Sequence, residues 1–254
     1  MNYTNSLRLP KTTSFLFSLL ILTLLVIGCE TSISKESKLI DWIPQNSSWV
    51  VQVNDLNSVK NELNNNEIFK QIKSLNPKVT SDISELLSET PNVTSLLCVT
   101  KVGKDPGALT HIYKSSIDST LIAGPGIEYS KMRINIEKRE NTILYSTFIS
   151  GYTLRSTSQL LIENCIRKYQ QTNNSETKNL FSAVYDTIDT DAPLNILVQP
   201  KAEELIETVF NSTPLMPKVS KDWNAYDLNF EKEGVSLDGL ISILDSLGDP
   251  LGII

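Results

Sequence analysis

Imidazole, thiol and clustered carboxylate are the side chains here with chemistry to offer, and each is scarce or isolated. The one histidine, His111, lies in Leu109-Thr-His-Ile-Tyr113, where strand alternation sets it on the face opposite Ile112. A serine-hydrolase relay would need it as general base, yet no Gly-x-Ser-x-Gly elbow occurs, and serine and aspartate are too common to nominate partners. No catalytic residue is therefore assigned. Zinc would have to draw on His111, Cys98 and Cys165, which show no short ligand spacing. Asp186-Thr-Ile-Asp189-Thr-Asp191 offers hard oxygens suited to calcium, but lacks EF-hand spacing, glycine and distal glutamate, so it reads as a solvated loop. Gly103-Lys-Asp-Pro-Gly107 and Gly124-Pro-Gly126 read as turns, since no Gly-Lys-Ser/Thr ending follows them. Trp42, Trp49 and Trp223 could line a sugar platform, but each sits on or beside an apolar strand, which favours core packing. Neither a metal nor a cofactor is expected. Carboxylate-only catalysis stays open, because it asks only for two acids ~5 to 9.5 Å apart.

The three cysteines divide into two kinds. Cys98, in Ser95-Leu-Leu-Cys-Val-Thr100, and Cys165, in Leu160-Leu-Ile-Glu-Asn-Cys-Ile166, lie on patterns that bury small apolar side chains. They read as separate core thiols, although an oxidising compartment would permit a bridge. Cys29 instead closes an export signal. Arg8 and Lys11, with no acid nearby, precede an apolar run from Ser14 to Ile27. These fourteen positions reach only ~21 Å as a helix, short of a ~30 Å hydrocarbon core. The sequence Val26-Ile27-Gly28-Cys29 resembles the lipobox of bacterial lipoproteins. That resemblance implies a signal peptide over residues 1–28, cleavage before Cys29, diacylglycerol on its sulfur and acylation of the new amino group. Each buried methylene contributes ~0.8 kcal/mol, so two or three chains hold where one is marginal.

Loss of residues 1–28 leaves 226 residues carrying 21 basic and 29 acidic side chains, a net charge of −8 with His111 neutral. Such a surface repels phosphate backbones and anionic headgroups, which disfavours nucleic acid as a partner and leaves membrane contact to the Cys29 lipid. Residues 29–38 are polar and read as a tether.

The remaining chain, residues 39–254, alternates short strands with amphipathic helices. Strands are expected over Ser48–Val53, Ser95–Val102, Ala108–Lys114, Met132–Lys138, Thr142–Ile149, Tyr152–Arg155 and Pro193–Val198, with a hairpin from Tyr226 to Ile241. Asp55 is placed to cap a helix carrying Leu56, Val59 and Leu63, and Ile68, Ile72 and Leu75 form a second stripe. Lys78–Glu89 and Leu180–Tyr185 read as helices. Ser156-Thr-Ser-Gln159 has capping-box spacing before the helix of Leu161, Cys165 and Tyr169, and Pro200 opens one with Ala202, Ile206 and Phe210. Consecutive strands with short turns favour an α+β fold, mainly antiparallel, with helices on one face; the strand–helix units share only weak residue identity, which leaves a duplication open. A doubly wound parallel sheet would need helices in the middle third, where none is indicated.

Ile43-Pro44, Val50-Val-Gln-Val-Asn-Asp55 and the Trp223…Tyr226-Asp-Leu hairpin ending Leu237-Asp-Gly239 are similar to uncharacterised lipoproteins of the flavobacterial type. The resemblance spans most of residues 39–245 and implies no active site. Relatives of that type are often longer, so the apolar end Asp249–Ile254 is expected to be a truncation or a strand tucked into the sheet. The expectation is a lipid-anchored envelope protein at the outer membrane that binds a protein or envelope partner without catalysis. Glu30 after the cysteine favours export past the inner membrane, by analogy with enteric sorting. An exported hydrolase or a carbohydrate-binding part of a nutrient-uptake system is the alternative.

Overall fold

The computed structural model describes residues 37–66, 70, 74, 77–116, 124–139, 142–171, 180–199, 202, 223–231 and 234–240. The lipobox residues Val26, Ile27, Gly28 and Cys29, the stripe of Ile68, Ile72 and Leu75, Ile206 and Phe210, and the segment 241–254 lie outside them.

Ten strands are present among the described residues: β1 Ser47–Val53, β2 Ser95–Val102, β3 Asp105–Lys114, β4 Gly126–Tyr129, β5 Met132–Lys138, β6 Ile143–Ile149, β7 Tyr152–Ser156, β8 Leu194–Val198, β9 Asn224–Glu231 and β10 Gly234–Leu240. They form one sheet in the order β10-β9-β8-β1-β2-β3-β7-β6-β5-β4. Every pairing in it is antiparallel. A 3-10 turn, Leu39–Trp42, precedes β1, and the described residues hold four helices after it: α1 Leu56–Asn65, α2 Pro77–Leu87, α3 Gln159–Gln171 and α4 Leu180–Tyr185. The expected α+β class with an antiparallel sheet is what the chain adopts.

Period-2 alternation divides the side chains between two faces. On the front, Val50, Leu96, Cys98, Ile112, Leu154 and Leu197 pack with Trp42, with Ile162, Cys165 and Ile166 of α3, and with Phe181 of α4. On the back, Val53, Leu194 and Leu228 meet Leu56 and Val59 of α1 and Leu87 of α2, while Leu97, Leu109 and Leu144 meet Leu86. Helices therefore flank both faces, where the sequence pattern placed them on one. The physical reason is that β2 carries apolar residues at both odd and even positions, Leu97 and Val99 on one face and Leu96 and Cys98 on the other, so each face needs its own cover.

Local chemistry explains most element ends. The Asp55 carboxylate accepts from the backbone N–H groups of Asn57 at 3.1 Å and Ser58 at 3.2 Å, the expected cap. Asn92 Oδ1 adds a second acceptor for the same helix end, taking the Leu56 N–H at 2.9 Å. The capping box at Ser156 does not form, because Ser156 ends β7, outside the helix; its hydroxyl donates to the Leu109 carbonyl at 2.7 Å and its oxygen accepts from Thr110 and from the Ser158 N–H, both at 3.1 Å. Gln159, its would-be partner, opens α3 and donates to Glu163 instead. Strand β4 was hidden by its shortness and exposure, since three of its four residues face solvent. Gly126 is required there, for a Cβ would come within 2.7 Å of the Ile134 carbonyl oxygen.

The β4–β5 turn carries strain. Ser130 and Lys131 both have positive φ, 50° and 65°, the type I′ geometry that favours asparagine and glycine. The turn is held from outside: Gln170 of α3 donates to the Ser130 carbonyl at 2.6 Å and Arg167 to the Tyr129 hydroxyl at 2.8 Å. We expect Lys131→Gly to raise stability by about 0.5–1 kcal/mol, read as a higher urea midpoint at unchanged slope. A lower midpoint would show that the lysine is not strained in place.

Candidate functional site

Strands β3 and β7 pair so that His111 stands directly opposite Arg155. Alternation puts both on the back face, as expected for His111 relative to Ile112, which packs in the front core. β7 is buried at all five positions, so Arg155 carries its charge into the sheet, with 4% of its surface exposed. His111 is completely buried. The C-terminal end of α2 closes over the pair. Arg155 Nη1 donates to the Leu86 carbonyl at 3.3 Å, Thr90 donates to the same carbonyl at 3.4 Å, and Thr90 Oγ1 lies 3.4 Å from His111 Nδ1.

A buried guanidinium needs an anion. Arg155 Nη2 finds Glu137 of β5 at 3.2 Å and Glu89, just past α2, at 3.6 Å. Arg139 binds the same two carboxylates, Glu89 at 2.6 Å and Glu137 beside it. Two arginines and two glutamates thus join α2, β5 and β7. The hydrogen bond from Arg139 to Glu89 raises the guanidinium's pKa further. Burial, and then the neighbouring Arg155 charge, lower that of His111 to about 3; the Leu86 carbonyl, which favours the proton, is the weaker influence. His111 is therefore neutral at physiological pH, and its Nε2 has no hydrogen-bond partner among the described residues. An imidazole without exposed surface is out of a substrate's reach while α2 is in place. Nothing in the sequence pointed to Arg155, Glu137, Glu89 and Arg139 together, because only strand register and the end of α2 assemble them. The one available signal was an arginine inside Tyr152-Thr-Leu-Arg-Ser, a strand otherwise fit for burial.

The other candidate residues are held by structure. Asp189 Oδ1 accepts from the Asp191 N–H at 2.9 Å, and Asp227 Oδ1 accepts from the Asp189 N–H at 3.2 Å and from Asn195 at 2.7 Å. Asn195 continues to Asn54 at 2.6 Å, Asn54 to Gln52 at 2.8 Å, and Gln52 to the Tyr185 hydroxyl. This chain of bonds braces the acidic loop against the front of the sheet, and burial pushes Tyr185 up to about 12. Among the described residues no three His, Cys, Asp or Glu side chains are placed to hold a metal.

Cys98 and Cys165 are free, buried thiols in the front core, and burial pushes both upward, Cys165 to about 11. The tryptophans do not share a platform. Trp42 is buried against Tyr152 and Tyr169, with ring centroids 5.9 and 5.6 Å away, and Trp223 meets Phe181 edge-on at 4.7 Å. Trp49 alternates to the back with Val51 and Val53. No helix among the described residues is long and apolar enough to cross a membrane.

No family model matches the chain. No curated protein matches it either. It is similar to the structure of crystal form I of TP0453, with a TM-score of 0.45 and 7% sequence identity over 82% of this chain and 79% of that one.

The state of His111 sets a pH dependence. Folded, the imidazole takes a proton only near pH 3; unfolded, it does so near 6.5. The unfolded chain therefore binds the extra proton between those values, so stability is full above about 6.5 and falls on acidification by at most ~1.4 kcal/mol per pH unit. His111 is the only histidine, so we expect His111→Leu to flatten the urea-derived stability between about pH 6.5 and 5. A variant as steep as the wild type would contradict the assignment.

Proposed function

We propose that this protein is a lipid-anchored cell-envelope lipoprotein, held at the outer membrane by acyl chains on Cys29, whose sheet domain is a non-enzymatic binding or structural module. The observation that carries the reading is Val26-Ile27-Gly28-Cys29 at the end of a fourteen-residue apolar core, followed by a polar tether. The net charge of −8 left after cleavage supports an anchor made by lipid rather than by electrostatic attraction to anionic headgroups. The partner is a protein or another envelope component, and nucleic acid is disfavoured by the same charge.

The non-enzymatic part of the reading is supported by where the titratable groups are spent. His111 is sealed and neutral, the two core thiols are protonated, and the acidic loop uses its oxygens to accept backbone and amide N–H groups.

Metabolic labelling with an alkyne fatty-acid analogue tests the anchor. Wild type is expected to take up label and fractionate with the outer membrane, while Cys29→Ala remains an unlabelled, uncleaved precursor. Equal label on both proteins would overturn the lipoprotein reading.

A further inference from the structure

The back of the sheet is closed by two helices of different character. α1 rests on Leu56 and Val59 against apolar strand residues. α2 has an apolar contact through Leu86 and Leu87, but its C-terminal end sits on His111, Arg155, Glu137 and Arg139. The ion pairs of Glu89 with Arg139 and Arg155 join the helix end to the sheet side, and those of Glu137 with the same arginines lie within that side. Proline bounds the segment at both ends, Pro77 as the first helical residue and Pro91 after the last turn.

We propose that this cluster is a proton-operated latch: acidification releases the C-terminal end of α2 and the turn after it, Leu86–Thr90, from the sheet while the strands stay paired. Two steps couple the proton to the release. Lifting the helix end opens the imidazole to water, where it accepts a proton that the closed form refuses. The opening constant then rises about tenfold per pH unit below the ordinary histidine range. Protonated His111 also stands directly opposite Arg155, a like-charge cross-strand pair that resists closing.

Among the described residues, the charged groups around the imidazole and its cover are Arg155 on β7, Glu137 on β5, Arg139 beyond it, Lys60 on α1, and Lys78, Asp82, Glu85 and Glu89 on α2 and its last turn, with Asp105 on β3. Asp82 works against release. Burial raises its pKa, so it binds a proton more readily in the closed form. The front core and the strand ladders contain no part of α2, which is why the sheet survives the opening.

Hydrogen exchange read by mass spectrometry on the full chain in detergent decides the matter, with rates corrected for intrinsic pH dependence. Peptides covering residues 77–90 should lose protection by up to about tenfold per pH unit between about pH 6.5 and 5, while peptides of β2, β3 and β7 hold theirs. His111→Leu should abolish that dependence, and Glu89→Gln should loosen the same segment already at neutral pH. Loss of helix and sheet protection together, a helix indifferent to pH, or a leucine variant that keeps the wild-type dependence would each overturn the latch. Should the leucine variant fail to fold, the wild-type contrast between helix and sheet still decides.

Discussion

Arg155 is the constraint around which the back of this sheet is arranged. A guanidinium with 4% of its surface exposed cannot sit in a strand interior unless its charge and its N–H groups are answered. The answer comes from three directions: a carbonyl at the end of α2, a glutamate two strands away on β5 and a glutamate just past the helix. Each fixes something else in turn. The carbonyl ties the end of α2 to the sheet, the glutamates recruit Arg139, and the positive charge across from His111 helps to keep that imidazole neutral. Because the glutamate side chains remain 42% and 59% exposed, water shares their charge and each pair is worth less than its geometry suggests.

The front face solves the same closure problem with apolar contact. Trp42, Ile162, Cys165 and Ile166 cover strand residues that carry no charge, and the polar groups there are linked in a hydrogen-bonded chain from Tyr185 to Asp227. That difference gives the two faces different sensitivities. The front responds to loss of volume, whereas the back also responds to protons, through a single buried imidazole.

Much of the architecture was legible in the sequence because it rests on local rules. Val50–Val53 and Leu96–Val99 announce strands by composition, Asp55 announces a cap, and the alternation around His111 places it opposite Ile112 correctly. Legibility stops where the chain meets itself at long range. Ser156 is held as the last residue of β7, its hydroxyl donating to the Leu109 carbonyl 47 residues away, so a local capping pattern misleads. Apolar residues on both sides of β2 marked a second helical layer, but periodicity does not say which helix covers which side. Arg155, Glu137 and Glu89 are 18 to 66 positions apart, and only the register of β7 with β3 and β6 and of β6 with β5 brings them together. The exported, lipid-anchored reading rests on Cys29 and its neighbours and is independent of this cluster.

The account depends on Arg155 being held by its carboxylates rather than tolerated beside them, and a double-mutant cycle measures that directly. Stabilities of Arg155→Met, Glu137→Gln and the double variant, taken from urea unfolding near neutral pH, isolate the coupling between the two groups. Glu137→Gln should cost about 1 kcal/mol more when Arg155 is present than when methionine has replaced it, a modest value because Glu137 is partly exposed. Costs that simply add, within about 0.3 kcal/mol, would mean that the guanidinium is satisfied without Glu137 and would contradict the account.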